Sequence, residues 1–364
     1  MNKYEYWFGS AASIKYKTRK KAIEHGISPE EIYRMNWEQL SCIFDEEETE
    51  HIVIGRKGWN LDLEEAAVTK KGADYITAFD SEYPDSLRNI PSMPYGLYVK
   101  GKLPRKDKLC AAVVGARKCS PYGRKLAEEI GHFLAKQDVQ VVSGLARGID
   151  SIAQKACVEA GGITYGILAC GVDICYPYDN IELYMKACET GGIISEQPLG
   201  TQPIASYFPA RNRIISGLAD FVIVVEAEEK SGSLITADFA LDQGRDVLAV
   251  PGRVTDKPSM GCNHLIYQGA EIYLGTKSLE KYIEEKAKAR ELSYNLKEID
   301  KKHNQLLLEK KELMVYSCLS LQAKSLESIV DEVPLLYTEV VGILMDLQLK
   351  GLVMETTKNS YVKA

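Results

Sequence analysis

Long apolar runs are missing from this 364-residue sequence. No stretch approaches the ~20 consecutive apolar residues that a membrane-spanning helix needs. The first ten residues, MNKYEYWFGS, lack the apolar core of a secretion signal. Nine cysteines are scattered without a CxxC spacing, which is typical of reduced cytosolic thiols and not of a disulfide framework. We therefore predict a cytoplasmic protein that makes no membrane contact.

Excess positive charge is missing as well. The chain carries 45 lysines and arginines against 51 aspartates and glutamates, for a formal net charge of −6. The field of the whole molecule will not steer a polyanion. Any nucleic-acid site must therefore be a local patch.

Two common phosphate-binding motifs are absent. No G-x-x-x-x-G-K-[ST] loop occurs, so we expect no ATP hydrolysis. The segment Gly115–Gly123 has Arg117 where the dinucleotide fingerprint requires its second glycine, and the next strand ends in Ser143-Gly144 without a carboxylate to hold a ribose. We predict neither a cofactor nor a bound metal.

The segment from Ala111 to Asp150 organises the rest of the chain. It contains the apolar run Ala111–Val114, a helix-period segment over Tyr122–Lys136 and a second apolar run, Val139–Val142. A strand–helix–strand unit of this kind forms a parallel pair with a crossover helix. Each run leads into a glycine-rich turn that carries an arginine, and such turns lie where ligands bind in open α/β sheets.

The same alternation continues to Gly275 and predicts the fold class. Further strands are predicted at 163–169, 193–195, 221–226, 247–250 and 271–274, with helices between most of them. Strands that alternate with helices form a parallel sheet covered on both faces. We therefore predict an α/β core with a Rossmann-like, doubly wound, mostly parallel sheet of seven strands.

The ends of successive strands share small, polar, cationic and aromatic residues. The predicted contact set is Gly115, Arg117, Ser120, Gly123, Ser143, Gly144, Arg147, Gly148, Phe208, Arg211, Asn212, Arg213, Lys230, Ser231, Gly232 and Ser233. A row of cations with backbone N–H groups and an aromatic platform is typical of a groove for single-stranded nucleic acid. Phe208 is either that platform or a core residue. We interpret Glu196 and Glu226 as partners that orient the arginines, in preference to an acid–base pair.

Four segments are predicted. Residues 1–75 form a small helical domain, 76–275 the extended Rossmann-like domain, 276–311 a charged helical linker and 312–364 a winged-helix module with three helices and a β-wing. The basic run at residues 15–21 is interpreted as a solvated face. The third helix of the last module is apolar and poor in arginine and lysine, which favours protein contact at least as much as duplex reading.

Eight ordered motifs resemble those of the DNA processing protein A (Smf) family. They are VVGARKCSPYG, SGLARGIDSIAQ, ACGVDICYP, ISEQPLG, FPARNRIISGLAD, VVEAEEKSGSLITADFALDQGR, AVPG and GCNHLI. The resemblance implies a non-enzymatic, homodimeric protein that binds single-stranded DNA and loads a RecA-type recombinase during natural transformation. It places Arg117, Arg211, Arg213 and the Ser231–Ser233 turn in the DNA groove. Ala116 and Gln154 depart from the family, which usually has serine and histidine there.

Two other functions are considered. Related Rossmann-like enzymes, the nucleoside-monophosphate phosphoribohydrolases of lysine-decarboxylase-like type, carry Pro-Gly-Gly-x-Gly-Thr and a catalytic glutamate at a helix start. The corresponding stretch here, Glu229–Thr236, lacks the glycine cluster. A regulator that reads duplex DNA through the winged helix alone is the other alternative. Binding of polynucleotides and release of nucleobase from AMP distinguish these functions.

Overall fold

The computed structural model describes residues 2–11, 13–57, 59–290, 310–320, 322–357 and 359–363. The chain forms two compact units, the first from residues 1–12 and 58–284 and the second from residues 13–57 and 285–364. Both ends of the predicted 1–75 helical domain therefore fall in the first unit. The four-segment division stays a prediction, and residues 291–309 of the predicted linker lie outside the described residues.

The helices are, in chain order, α1 Lys3–Ser10, α2 Tyr16–Glu24, α3 Pro29–Arg34, α4 Trp37–Ser41, α5 Glu46–Arg56, α6 Leu61–Lys70, α7 Asp85–Arg88, α8 Pro121–Lys136, α9 Ile149–Glu159, α10 Ile181–Thr190, α11 Tyr207–Leu218, α12 Gly232–Asp242, α13 Lys257–Tyr267, α14 over 276–290, α15 Lys310–Cys318, α16 Leu326–Glu332 and α17 Tyr337–Leu349. The strands are β1 Asp74–Thr77, β2 Gly96–Gly101, β3 Cys110–Val114, β4 Gln140–Ser143, β5 Thr164–Ile167, β6 Gly192–Ser195, β7 Phe221–Val224, β8 Asp246–Ala249, β9 Glu271–Ile272, β10 Lys324–Ser325, β11 Val353–Thr357 and β12 Ser360–Lys363.

The first unit is built on a nine-stranded sheet in the order β1-β2-β6-β5-β4-β3-β7-β8-β9. The seven strands from β6 to β9 in this order are parallel, while β2 pairs antiparallel with both β1 and β6. The predicted doubly wound, mostly parallel sheet is confirmed. The chain order reverses between β3 and β7, and ligands bind at such a switch point in open α/β sheets.

The apolar strands form because both faces of the sheet are covered. Every residue of β3 is buried, with Ala112 and Val114 in one core cluster and Ala111 and Val113 in the other. Successive strand side chains point to opposite faces, so two layers of helices meet one continuous apolar strand. This two-sided burial explains why β3 has no alternating polar residues.

The amphipathic helix α8 covers one face of the sheet and begins at a defined cap. Ser120 accepts a hydrogen bond from the Gly123 N–H at 3.1 Å, and Pro121 takes the first helical position, which proline tolerates because its missing N–H would be unpaired there. Helix α8 packs along α9 so closely that a Cβ on Gly131 would lie 2.2 Å from the Ala153 carbonyl oxygen.

In the second unit, α15, α16, α17 and the three-stranded sheet β10-β12-β11 share one apolar cluster. These elements agree with those predicted for residues 312–364, while the DNA-binding or protein-contact role of that module stays a prediction. The basic run is neutralised, because Lys15, Lys17 and Lys21 form ion pairs with Glu47, Asp45 and Glu48. This pairing supports its interpretation as a solvated face.

All nine cysteines are free. Burial raises the pKa of Cys157 and of Cys262 to about 12, so these two thiols stay protonated and unreactive at neutral pH. Across the described ranges, no helix combines the length and the apolar character needed to cross a membrane.

Candidate nucleic-acid interface

A cavity of about 630 Å³ opens at the carboxyl ends of β3 and β7, where the strand order reverses. Half of the predicted contact set lines it, namely Gly115, Arg117, Phe208, Arg211, Asn212, Ser231, Gly232 and Ser233. The walls come from the β3–α8 and β4–α9 connections and from the first turns of α11 and α12. The predicted residues therefore converge from distant parts of the chain.

The β3–α8 and β4–α9 turns, which both contribute lining residues, are joined by backbone hydrogen bonds. The N–H of Ile149 donates to the Ala116 carbonyl oxygen at 3.2 Å, and the N–H of Ala116 donates to the Glu226 carbonyl oxygen at 2.7 Å. Gly148 has φ +82°, and a Cβ there would lie 2.2 Å from the Ala116 oxygen and 2.6 Å from that of Arg117. Only glycine fits at this position.

Arg211 is a buried cation in the cavity wall. Its guanidinium donates to the carbonyl oxygens of Ile167 and, at 3.1 Å, of Gly144. Burial lowers the pKa of Arg211 to about 10, and the negative charge of Asp150 opposes that shift. Burial likewise raises the pKa of Asp150, against the pull of Arg211. Arg211 therefore stays protonated at neutral pH and gives the cavity a fixed positive charge.

Arg117 presents a second cation at the mouth of the cavity. Its guanidinium is exposed and lies 5.3 Å from the centroid of the Phe208 ring, while that of Arg211 lies 6.0 Å from the same centroid. Within the part of the chain that the structure describes, Arg117 has no hydrogen-bond or ion-pair partner. Its charge remains available to an anion, and the cation–π contact holds it against the half-buried ring.

The start of α12 completes the polar wall. Ser231 caps this helix, because its hydroxyl accepts a hydrogen bond from the Ser233 N–H at 3.4 Å. The Asn212 amide donates to the Gly232 carbonyl oxygen at 3.2 Å, which ties α11 to this helix start. A Cβ on Gly232 would meet nothing within 4 Å. The open N-terminus of an 11-residue helix faces the cavity and attracts negative charge.

Arg213 is the first predicted contact that the structure places elsewhere. Its guanidinium donates to Ser92 and Ala210 carbonyl oxygens, both at 2.8 Å, and to both carboxylate oxygens of Glu196 at 2.7 and 2.8 Å. All three guanidinium nitrogens therefore donate within the protein, and Arg213 does not line the cavity. Its phosphate contact stays a prediction. Glu196 does orient an arginine, as interpreted from the sequence.

The start of α8 is occupied by a carboxylate of the protein itself. Glu226 is buried and accepts hydrogen bonds from the Ser120 hydroxyl and, at 2.8 Å, from the Ser120 N–H. A Cβ on Gly123 would lie 2.3 Å from the Glu226 carboxyl carbon. Ser120 and Gly123 therefore face Glu226 and not an open anion site. Glu226 supports a helix start and, within the described ranges, contacts no arginine, which corrects its interpretation from the sequence.

The remaining predicted residues lie around the cavity without lining it. The buried Ser143 hydroxyl donates to the Val113 carbonyl oxygen at 2.6 Å, and the Gly144 N–H donates to Asp150 at 3.1 Å. Arg147 pairs with Asp179 at 2.6 Å on the surface. Lys230 is exposed, and it has no partner among the described residues.

Ten of the 18 lining residues are absent from the predicted set, among them the polar residues Asp150 and Tyr176. The Tyr176 ring lies 5.7 Å from that of Phe208 and extends the aromatic surface of the cavity. Tyr176 belongs to the quoted motif ACGVDICYP, so its signal was present in the sequence. Asp150 likewise belongs to the quoted motif SGLARGIDSIAQ, but nothing local shows which cation a buried carboxylate will face.

The two departures from the family pattern lie outside the chemistry of the cavity. Ala116 uses only its backbone, as described above. Gln154 is buried, accepts from the Leu145 N–H at 3.1 Å and donates to the Tyr165 carbonyl oxygen at 2.9 Å. Its carboxamide supports the β4–α9 turn from inside the core.

Comparisons with known proteins identify the same region. A family model described as DNA recombination-mediator protein A matches residues 74–285. DNA processing protein DprA of Streptococcus pneumoniae is 42% identical over 197 residues, which are 54% of this chain and 70% of that protein. Protein Smf of Synechocystis is 38% identical over 214 residues, or 58% of this chain. The match spans 54% of that Synechocystis relative, about half of its length.

Solved structures match over a similar range. The X-ray structure of DNA processing protein A from Streptococcus pneumoniae covers 77% of this chain and 98% of its own, with a TM-score of 0.68 and 33% identity. A structure describing the single-stranded DNA binding mode of the Helicobacter pylori protein covers 58% of this chain and 96% of its own, with a TM-score of 0.52 and 28% identity.

Proposed function

Because this chain belongs to the DNA recombination-mediator protein A family, we propose that it binds single-stranded DNA in the cavity at the β3–β7 switch point. One observation carries the proposal. The Arg117 guanidinium, which no described residue pairs with, lies against the Phe208 ring, beside the open start of α12. A cation and free helix N–H groups bind phosphate, and an aromatic ring stacks on an unpaired base. None of these groups distinguishes one base from another.

The arrangement favours binding over catalysis. Among the described residues, the two buried carboxylates at the switch point, Asp150 and Glu226, are both engaged within the protein. Asp150 accepts from the Gly144 N–H, and Glu226 caps α8 through Ser120. A general acid or base must reach the proton that it transfers. We therefore propose an accessory DNA-binding protein, not a phosphoribohydrolase, and expect no nucleobase release from AMP.

We further propose that the protein acts as a homodimer in the cytoplasm and loads a RecA-type recombinase during natural transformation. An apolar surface on α13 and β9 supports the dimer. Tyr267 is 88% exposed, Leu274 75% and Ile272 46%, and β9 is an edge of the sheet. An open strand edge with apolar neighbours is a surface that a second copy can cover.

The direct test is titration of the full chain with labelled single-stranded and double-stranded oligonucleotides of the same sequence. We expect tighter binding to the single strand, because only an unpaired base can reach the ring of Phe208. Equal affinity for both forms would contradict the proposed site. A recombinase-loading assay on DNA coated with a single-strand-binding protein tests the accessory role separately.

Replacing Arg117 with alanine should weaken binding to all single-stranded sequences about equally. The salt slope should fall by ~0.7 for each lost phosphate contact, and Lys230→Ala should act in the same direction. Anisotropy titrations at several salt concentrations measure both effects. Lys136→Ala is the matched control, because Lys136 is an exposed cation at the far end of α8. An unchanged slope in the Arg117→Ala, Lys230→Ala double variant would refute phosphate contact here.

Replacing Phe208 with alanine should lower single-strand affinity about ten-fold or more, because stacking contributes ~1–3 kcal/mol per base. The salt slope should stay the same, since no phosphate contact is lost. Phe208→Trp keeps an aromatic face and should retain binding. Thermal melting of the same variants separates the alternatives. A large drop in melting temperature with normal binding by the folded fraction would make Phe208 a core residue.

A further inference from the structure

A second cavity, of about 840 Å³, opens at the same edge of the sheet. It is lined by Tyr122 at the start of α8, by Glu226 after β7, and by Pro251 and Arg253 after β8. The β3–α8 and β7–α12 connections also line the first cavity. The β3–α8 connection contributes Gly115 and Arg117, and the β7–α12 connection leads into the first turn of α12. The two cavities therefore lie on either side of the connections that leave β3 and β7.

The aromatic wall of the second cavity is Tyr122. Its side chain is 49% exposed, and its hydroxyl donates to the Pro251 carbonyl oxygen at 2.9 Å. This hydrogen bond holds the ring in one orientation although much of its surface is open. An aromatic ring fixed in this way can stack on a base with little loss of conformational entropy.

The cationic wall is Arg253. It is exposed, and in the described ranges it has no hydrogen-bond or ion-pair partner. The turn that carries it is held by Asn263, which accepts from the Gly252 N–H and donates to the Gly252 carbonyl oxygen, both at 3.1 Å. A cation on a rigid turn is suited to a phosphate, because little backbone ordering is needed on binding.

Two carboxylates line the second cavity. Glu226 is buried against Ser120, and its negative charge disfavours a phosphate on that wall. Asp256 lies beside Arg253, where its N–H donates to the Arg253 carbonyl oxygen at 3.1 Å and its carboxylate accepts from the Thr255 hydroxyl at 3.2 Å. A phosphate on Arg253 with an uncharged base on Tyr122 is the arrangement that keeps the phosphate away from Glu226.

We propose that this second cavity binds a further nucleotide of the same single strand, with its base on Tyr122 and its phosphate on Arg253. The inference rests on the proposed function, because it requires that the first cavity holds single-stranded DNA. It adds a second subsite that lengthens the bound strand across the edge of the sheet. The strand passes over the β3–α8 connection, from Arg117 on one side to Tyr122 on the other.

The test uses the full chain and oligothymidylates of about 4 to about 20 nucleotides, a range that brackets the ~4–16 nucleotide sites of single-strand binding folds. Tyr122→Ala and Arg253→Ala should each weaken binding of the long oligonucleotides about five-fold or more and leave the shortest unaffected. Arg117→Ala should weaken binding at every length. Lys257→Ala is the control, since Lys257 is an exposed cation next to this cavity that does not line it.

The outcomes separate the two proposals. Failure of the unaltered chain to bind any oligonucleotide would overturn the proposed function and the subsite with it. If Tyr122→Ala and Arg253→Ala bind oligonucleotides of every length as tightly as the unaltered chain does, while Arg117→Ala binds them weakly, the subsite alone is overturned. An equal loss in Lys257→Ala and Arg253→Ala would also overturn it, because a general effect of charge would then explain the result. Arg253 is exposed, so its variant tests the subsite even where Tyr122→Ala lowers stability.

Discussion

Replacing Arg211 with alanine is expected to lower the free energy of unfolding by ~2–6 kcal/mol, because leaving a buried acceptor without its donor costs ~1–3 kcal/mol. Two carbonyl oxygens, of Gly144 and Ile167, lose their donor, and Asp150 loses the positive charge that it faces. Single-strand binding should be lost along with stability. Chemical denaturation of the purified variant measures the first effect, and anisotropy the second.

The pH dependence gives this prediction a specific signature. Attraction to Arg211 stabilises the ionised form of Asp150, so it contributes stability above the pKa of Asp150 and loses that contribution as the pH falls through it. The deficit of Arg211→Ala relative to the unaltered chain should therefore shrink on acidification. Arg117→Ala is the control, because Arg117 is exposed and its loss should leave stability unchanged at every pH. A deficit independent of pH would show that Asp150 takes no part.

Replacing Gly148 with alanine should destabilise the protein and displace the β3–α8 turn that carries Arg117. A non-glycine residue at this backbone conformation, φ +82° and ψ −134°, costs ~1–3 kcal/mol of strain. The new Cβ would also overlap two carbonyl oxygens, of which the nearer lies 2.2 Å away, and overpacking adds ~1–3 kcal/mol. We expect a clear fall in the denaturation midpoint together with loss of single-strand binding.

Gly161→Ala is the matched control for this substitution. Gly161 also has a positive φ, +79°, but a Cβ there would meet no atom within 4 Å. Gly161→Ala should therefore show a cost of backbone strain without an overlap between the new Cβ and carbonyl oxygens. This variant should bind DNA normally. Equal effects of the two substitutions would mean that the contact between the β3–α8 and β4–α9 turns has no role in the site.

The fold was predictable because its signals are local and repeated. Fully buried strands appear in the sequence as short apolar runs, and glycine turns separate them from helices. The predicted bounds of β3 and β4 therefore agree with the structure to within a residue or two. Helix α9 was missed between the predicted strands, although Ile149, Ile152, Ala153 and Cys157 repeat at helical spacing. Its first turn lies within the glycine-rich motif, and the turn-forming residues there obscure the start of the helical pattern.

The candidate site was predictable in part. Chain position placed Arg117, Phe208, Arg211 and the start of α12 at strand ends, and the topology of a parallel sheet then brings such ends to one edge. Chain position and sheet topology cannot decide which of these side chains line the cavity and which form hydrogen bonds or ion pairs within the protein. Arg211 and Arg213 are two residues apart, yet one lines the cavity and the other pairs with Glu196.

The carboxylate at the start of α8 has a consequence for how a strand can lie on this edge. Helices α8 and α12 both begin at this edge. Glu226 occupies the start of α8, and the start of α12 stays open to the cavity. Under the proposed function, this occupation removes the start of α8 as a competing site for phosphate. The position of the strand along the edge would then follow from this exclusion and not from recognition of base sequence.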